Sequence, residues 1–425
     1  MKVAIVGMGV AGLRAANLLQ EQGIRPLLFE ARERLGGRVR TLKDGGAVFE
    51  AGAEWLDADH ARCLDLLRGF GIDTRSAESW PRRVWFRGES CSTDDLWPEA
   101  MDDEVRFTNE VRRLGQGLSR VDHENGERSD LDRRTLGKFL DEVAESPRGR
   151  FWLESMLRSD EGEDTHHIGL LPWLCAYLPY LEREEGAVSH YRVEGGLGRL
   201  VDAMAASLDS RVHLGTVLQR VVNDTKYAIL QFEDFEVEVD RVILTLPPPL
   251  LEKVVFDLPL SCNKRCAIEG AQMSRAIKVV MEFDRAFWKD LGWNGSLHAD
   301  TVLQQVWDAT LGDNPCLCAY VCGEAAHLVT NRADSVLDMV GELEKLFPGA
   351  QKHFVRGWTF DWVSEPFSHG AFSHFPPGYA LTYRKYLAAP ELRVHFAGEH
   401  TALWNGFVEG ALESAERVVK EVLDA

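Results

Sequence analysis

Three glycines, Gly7, Gly9 and Gly12, stand in the spacing GxGxxG, and an acid, Glu30, closes the next apolar run. That set of residue types suits binding of a dinucleotide. Gly7 permits a tight turn, Gly9 lets the backbone approach a pyrophosphate, and Gly12 lets a helix lie close to a strand. A helix N-terminus offers unpaired N–H groups and the positive end of its dipole to phosphates. Glu30 can accept hydrogen bonds from both ribose hydroxyls of an adenosine, and its charge repels a 2′-phosphate. The elements that must position these residues are legible around them. Val3–Val6 reads as a buried strand, Ala11–Gln20 as a helix stopped near Gly23, and Arg25–Phe29 as a second strand. The strand before, the helix within and the acid at the far end separate this pattern from a glycine-rich turn of a purely structural sheet.

A second glycine cluster follows in ARERLGGRVRT, where Gly36 and Gly37 allow close backbone approach and Arg32, Arg34 and Arg38 supply positive charge. A nicotinamide-only unit has no need of it, whereas a larger cofactor such as FAD does. In VFEAGAEWLDAD, a strand from Val48 runs into a small-residue turn. Gly52 and Ala53 leave room there for a flat ring, and Glu54, Trp55, Asp57 and Asp59 crowd the same turn.

The chain has 425 residues, 45% hydrophobic and 27% charged, which suits a globular protein with two or three cores. No apolar run reaches membrane-span length and no signal peptide is legible, so a cytoplasmic protein is expected. Eight scattered cysteines show no CxxC and no zinc spacing, so they read as buried thiols in a reducing compartment and no metal site is expected. The net charge of −19 argues against nucleic-acid partners and favours attraction of cationic small molecules.

Trp80, Trp85 and Trp97 fall in an irregular stretch. Helices are expected at Asp103–Leu114, Leu136–Val143 (with Thr135 as N-cap) and Arg150–Leu157, and the polar run 119–134 as a loop or exposed helix. LLPWLCAYLPYL, Leu170–Leu181, reads first as core, with a substrate-tunnel wall or a subunit interface as alternatives. Val193–Ser207 is a glycine-marked entry into a helix. Strands follow at Val212–Val222, around Ala228–Phe232 and at Glu236–Leu246, the last stopped by Pro247. In Ala276–Phe283, Ile277, Val279, Met281 and Phe283 face one way and Lys278, Val280 and Glu282 the other. Val394–Ala397 is a strand, and Phe407–Leu423 a helix with a flat face at Gly410, Ala411, Ser414 and Ala415.

Taken in order, these pieces resemble the flavin-containing amine oxidase family, which includes monoamine, polyamine and L-amino-acid oxidases. The resemblance runs through GxGxxG with Glu30, the GGR at Gly36–Arg38, GAEW at Gly52–Trp55, VEGG at Val193–Gly196 and LTLPP at Leu244–Pro248. It continues through IKVVMEFDRAFW and GAFS at Gly370–Ser373 to FAGEHT and GFVEGALES. The resemblance implies an α/β, two-domain fold: a Rossmann-like FAD-binding domain (residues 1–75, 188–262 and 385–425) interleaved with a mixed-sheet and helical substrate domain (residues 76–187 and 263–384).

It also implies site residues. Val10, Ala11, Ala31, Val217, Leu246 and Gly398 would join the glycines and arginines above at the cofactor. Glu399 would meet the ribityl–phosphate region, and the backbone at Gly406, Phe407 and Val408 the pyrimidine edge of the flavin. Lys278 matches a lysine that holds a water beside flavin N5, and Trp362 a tryptophan packed by the flavin. Phe372 and Phe407 match two aromatic positions facing each other across the substrate amine. Ala371 stands where some members carry a flavin-linked cysteine, so non-covalent FAD is expected. Amino-acid-oxidising members often carry an arginine where Glu54 and Trp55 stand. Glu54 and Asp57 either steer a cationic substrate or cap the turn. The activity implied is oxidation of a primary or secondary amine with dioxygen, giving an imine or aldehyde, ammonia or an amine, and hydrogen peroxide. The alternatives are an L-amino-acid oxidase whose arginine is Arg82, Arg83 or Arg87, a desaturase or isomerase on the same fold, and a flavoprotein kept for binding. The oligomeric state stays open, a homodimer included.

Overall fold

The computed structural model describes residues 1–76, 82–118, 128–181, 191–258, 260–330 and 334–425. Trp80 and the first part of the polar run, 119–127, lie outside the described residues.

Two sheets carry the architecture. The first has five parallel strands in the order Val394–Phe396, Arg241–Leu244, Val3–Val6, Leu27–Phe29 and Val212–His213. Val3–Val6 lies at its centre, with Val6 paired to Leu244 on one side and Phe29 on the other. All four of its residues are buried, which is why the run shows no polar alternation. Strands from the start, middle and end of the chain thus build one sheet. Their carboxyl ends deliver Gly7, Glu30, Thr245 and Ala397 to one edge, where ligands of open parallel sheets bind. Helix Val10–Glu21 packs against the C-terminal helix Val408–Asp424 beside it.

The second sheet has seven strands of mixed direction, ordered Phe354–Asp361, Ala276–Phe283, Cys316–Cys322, Gln305–Asp308, Leu297–Ala299, Arg83–Phe86 and Glu89–Ser92. Ala276–Phe283 lies between two partners and is buried on both faces. Its odd residues enter one apolar cluster and Val280 another, matching the expected alternation. Lys278 is paired with Tyr320 and Phe360. The helices Pro98–Leu114, Leu136–Val143, Pro147–Glu161 and Leu170–Leu181 share a separate core. Thr135 caps its helix as expected, accepting from Lys138 N.

Two expected strands are each divided. Glu236–Val239 belongs to a four-stranded sheet and Arg241–Leu244 to the parallel one. Asp240 makes the transfer: its N–H donates to Lys2 O while Lys2 N donates to its carboxylate, tying the turn to the first strand. Val212–His213 and Arg220–Asn223 likewise join different sheets. Leu170–Leu181 is one helix despite its prolines, because Pro172 falls in the first turn, where an N–H is unpaired anyway, and Pro179 near the end. Among the described residues no helix is long and apolar enough to cross a membrane.

Candidate active site

One cavity of about 1330 Å³ runs from the GxGxxG loop to Phe372 and Phe407. Gly7, Gly9, Val10, Ala11, Glu30 and Ala31 border one part of it, and Arg32, Gly36, Gly37 and Arg38 continue that wall. Gly7 has φ +95° and stands against Thr245, where a Cβ would lie 2.5 Å from the hydroxyl. Gly12 does not border the cavity; a Cβ there would meet Gly7 O at 2.0 Å, so this glycine serves helix–strand contact as expected. Gly9 is different. Its nearest neighbours for a Cβ are Gly37 Cα and Gly36 O, at 3.9 and 4.0 Å, so a side chain would fill the cradle between the two glycine loops. Gly36 N donates to Met8 O and fixes those loops together. No side chain caps helix Val10–Glu21, leaving its first turn to a ligand.

Glu30 is buried and accepts one N–H on each oxygen, from Met8 (2.7 Å) and Arg32 (2.9 Å). A carboxylate has lone pairs to spare beyond these for two ribose hydroxyls. The arginines behave differently from the expectation. Arg32 is held by both oxygens of Glu365 and by Ser368, and Arg38 by Glu399 and Ala371 O. Arg34 turns to Leu35 O, and burial with its arginine neighbours lowers its pKa to about 10. The charges of Arg32 and Arg38 are thus matched within the protein, while Arg34 meets backbone carbonyls alone among the described residues; backbone N–H groups stand beside them as further phosphate ligands.

Glu399 is buried at the junction of the first strand set and the last helix. It accepts from Arg38 (2.7 Å), Ser373 N and Oγ, and Gly406 N (2.6 Å). Burial alone would raise its pKa, but Arg38 and these donors outweigh it and hold the carboxyl below its usual range. It thereby ties together the loops bearing Phe372 and Phe407. Gly398, Phe407 and Val408 also border the cavity, as do Val217 and Leu246. Helix Val408–Asp424 begins at Phe407 with no side-chain cap.

The most altered expectation concerns GAEW and Lys278. Lys278 is 6% exposed, and its ammonium donates to Glu54 Oε2 (2.8 Å), Gly52 O (2.9 Å) and Glu50 O (3.3 Å). Each of its three protons thus has a protein acceptor, and a water could replace only one, most readily Glu50 O. Glu54 is 4% exposed. Trp307 Nε1 donates to it, and Arg192 Nη2 lies 2.7 Å from Oε1, an ion pair out of line for a hydrogen bond. Burial opposes both charges, yet the pairing wins: Lys278 is raised and Glu54 lowered from their usual values. Glu54 borders the cavity as a carboxylate whose charge is matched by Lys278 and Arg192. Asp57 is also buried, with its N–H on His60 Nδ1 and its carboxylate 3.9 Å from His60 Nε2. Trp55 and Ala53 line the cavity, Trp55 beneath the Arg192 guanidinium at 5.1 Å. Gly52 is required by backbone rather than by a flat ring, since a Cβ there would lie 2.0 Å from Arg38 O. Trp362, which lines the cavity, donates to Ala51 O across the same turn.

Phe372 packs on Gly406 and on Gly162, and Phe407 on His60 and Trp404 with centroids 5.0 and 6.1 Å apart. Helix Leu170–Leu181 adds Trp173, Ala176, Tyr177 and Tyr180 along one face, while Leu170, Leu171 and Leu174 enter the core. It is core and cavity wall at once. Of the three arginines considered for a carboxylate, Arg82 borders the cavity, whereas Arg83 and Arg87 lie over Phe347 and Phe86. Sequence reasoning missed Arg192 and Trp307, and also Glu161 and His298, which border the same cavity. Arg192 immediately precedes the recognised VEGG, which was the one signal to hand.

A parallel sheet with a glycine-lined dinucleotide edge, joined by one cavity to an aromatic and lysine-bearing wall, defines a two-domain nucleotide-cofactor oxidoreductase. The family described as flavin containing amine oxidoreductase matches residues 10–423. The chain is 25% identical to amine oxidase (flavin-containing) A of Sus scrofa, over 100% of this chain and 85% of the relative. A putrescine oxidase structure with redesigned cofactor binding superposes with a TM-score of 0.90 at 25% identity, covering 100% of this chain and 98% of the other. Cyclohexylamine oxidase from Brevibacterium oxydans IH-35A gives 0.91 at 20% identity, over 100% and 98% of the two chains, a likeness of fold. This chain belongs to the flavin containing amine oxidoreductase family; its cofactor is FAD and its reaction the oxidation of an amine.

Proposed function

We propose that the protein is an oxidase of primary or secondary amines that passes electrons to dioxygen and releases hydrogen peroxide. The observation that carries this is the single cavity connecting the dinucleotide loop to Phe372 and Phe407. FAD, when bound, supplies a two-electron acceptor for a hydride equivalent from the carbon bearing the nitrogen. Gly9, Gly37 and the first turn of helix Val10–Glu21 would hold its phosphates and Glu30 its ribose. Ala53, Trp362 and the backbone at Phe407 and Val408 would hold its ring system.

The remaining work belongs to this chain. Phe372 and Phe407 exclude water and orient a neutral amine, without the hydroxyl a tyrosine would add. Lys278 sets a fixed positive charge beside the site through its pairing with Glu54. The imine product takes up water and yields a carbonyl compound with ammonia or an amine. Ala371 offers no thiol, which supports FAD held without a covalent bond. The three-part nucleotide domain 1–75, 188–262 and 385–425 belongs to the same proposal, with 76–187 and 263–384 around the substrate. So does a cytoplasmic location, supported by eight free cysteines.

The test is peroxide release from the purified yellow protein, with amines and L-amino acids compared at one pH. Peroxide from amines, in step with carbonyl formed, is the expected result. Release from amino acids alone would overturn the amine assignment and direct attention to Arg82. Bound flavin with no turnover of either would favour a desaturase or a binding role.

A further inference from the structure

Helix Pro147–Glu161 ends against the cavity, which Met156, Ser159, Asp160 and Glu161 border. Gly162 follows with φ +65°, and a Cβ there would lie 2.7 Å from Phe372 Cζ. Glu161 is therefore one residue from contact with the aromatic wall of the amine site. Three other acids along the cavity are matched: Glu30 by backbone N–H groups, Glu54 by Lys278 and Arg192, Glu399 by Arg38. Among the described residues Glu161 has no hydrogen bond and no ion pair, and the charge that acts on it there is the adjacent Asp160. Burial first, and Asp160 second, push its pKa up to about 8. A half-buried carboxyl on a cavity wall, with no counter-charge among the described residues, is completed by a cation.

A second, separate observation points to a polar ligand in this cavity. His298 is 1% exposed and borders it; Nδ1 meets Ser155 Oγ of the same helix at 2.9 Å, and Nε2 has no partner among the described residues. Burial pushes its pKa down to about 3, so the ring stays neutral and adds no competing charge.

We propose that Glu161 anchors a second, protonated nitrogen of the substrate. The preferred substrates are then amines with two basic nitrogens joined by an apolar chain. One nitrogen lies neutral between Phe372 and Phe407, and the other sits as an ammonium on Glu161. The chain runs along the Trp173 and Tyr177 face, and His298 offers its free ring nitrogen to the polar end of longer substrates. This rests on the amine-oxidase reading above and narrows it. The rival occupant is an amine bearing a carboxylate, drawn by Arg82 at the cavity border.

The experiment compares straight-chain diamines with monoamines of equal length on the holoenzyme, for wild type, Glu161→Gln and Glu161→Asp. The wild type should favour the diamine in kcat/KM by at least about tenfold, mainly through KM. Glu161→Gln should bring that ratio to about one, and Glu161→Asp should restore part of it. In a binding measurement independent of turnover, a bis-quaternary ammonium ion should bind the wild type more tightly than its mono-quaternary counterpart. That measurement decides the matter if Glu161→Gln fails to fold. Equal efficiency in wild type, an unchanged ratio in Glu161→Gln, or preference for carboxylate-bearing amines would overturn the proposal. Monoamine turnover without diamine preference removes this subsite alone; no turnover of any amine removes the function on which it rests.

Discussion

Two carboxylates four positions apart in the turn before Lys278 have opposite electrostatic fates. Glu54 faces two cations and is held ionised, whereas Glu50 is buried with hydrogen-bond donors but feels Glu54 as a like charge. Burial and that neighbour push Glu50 up to about 7, against the lowering effect of Leu197 N–H. The signs of their linkage to stability are therefore opposite. Glu54, depressed in the fold, contributes stability above its unfolded value of 4.5 that is lost as pH falls through the folded pKa. Glu50, raised in the fold, contributes stability below 4.5 that is lost as pH rises through about 7. Glu54→Gln leaves Lys278 and Arg192 buried without their counter-charge and should cost about 3–5 kcal/mol near neutral pH, with the cost shrinking in acid. Glu50→Gln should cost less, and its stability relative to wild type should improve as pH rises from about 4.5 to about 7 and level off above that. Denaturant unfolding of both variants at acid and mildly alkaline pH reads this directly. Equal costs with the same pH trend would refute the assignment of charge in this turn.

At the scale of elements, the strand–loop–helix at the start of the chain leaves no tolerance where helix meets strand. A methyl on Gly12 would lie 2.0 Å from Gly7 O, and neither backbone can yield without moving the cradle at Gly9. Gly12→Ala should therefore lower retained flavin per protein by about tenfold or more after gel filtration, since overpacking costs about 1–3 kcal/mol. Flavin retained as in wild type would show that the loop shifts freely. Elements of this kind were legible because their signals are local: a β-branched run, fixed glycine spacing, a cap such as Thr135. The division of Glu236–Leu246 between two sheets was not, because alternation says which face is buried and nothing about which sheet a strand joins. The surroundings of Glu54 were hidden for a related reason. Its partners Arg192, Lys278 and Trp307 come from three distant strands, and only the fold reveals that an acid in a turn is surrounded by them. Helix Leu170–Leu181 lay between these cases: its apolar character was plain, but the face that borders the cavity could be separated from the face in the core only once its neighbours were placed.

The whole molecule is built around one large cavity, and its folding has buried histidines as well as acids. His298, His374 and His400 are each at most 2% exposed. Burial is the leading cause in all three, pushing their pKa values down to about 3, 4 and 4 from an ordinary 6.5. A histidine depressed in the fold contributes stability above its unfolded value that is lost as pH falls toward the folded one, because the unfolded chain takes up the proton first. For His374 the interval corresponds to at most about 3 kcal/mol. Lys264, buried against Phe396 and lowered to about 7 from 10.5, acts in the same direction at higher pH. Glu50 and Glu161 act the opposite way as pH rises toward about 7 and 8, so they offset part of the histidine effect without cancelling three groups. The melting temperature of the holoenzyme should therefore fall as pH drops from about 6.5 to 4.5, and His374→Gln should flatten that slope. The measurement is a thermal melt followed by flavin fluorescence across that range. A melting temperature that rises on acidification would mean that the buried acids dominate, and an unchanged slope in His374→Gln would mean that this histidine titrates alike in the folded and unfolded chain.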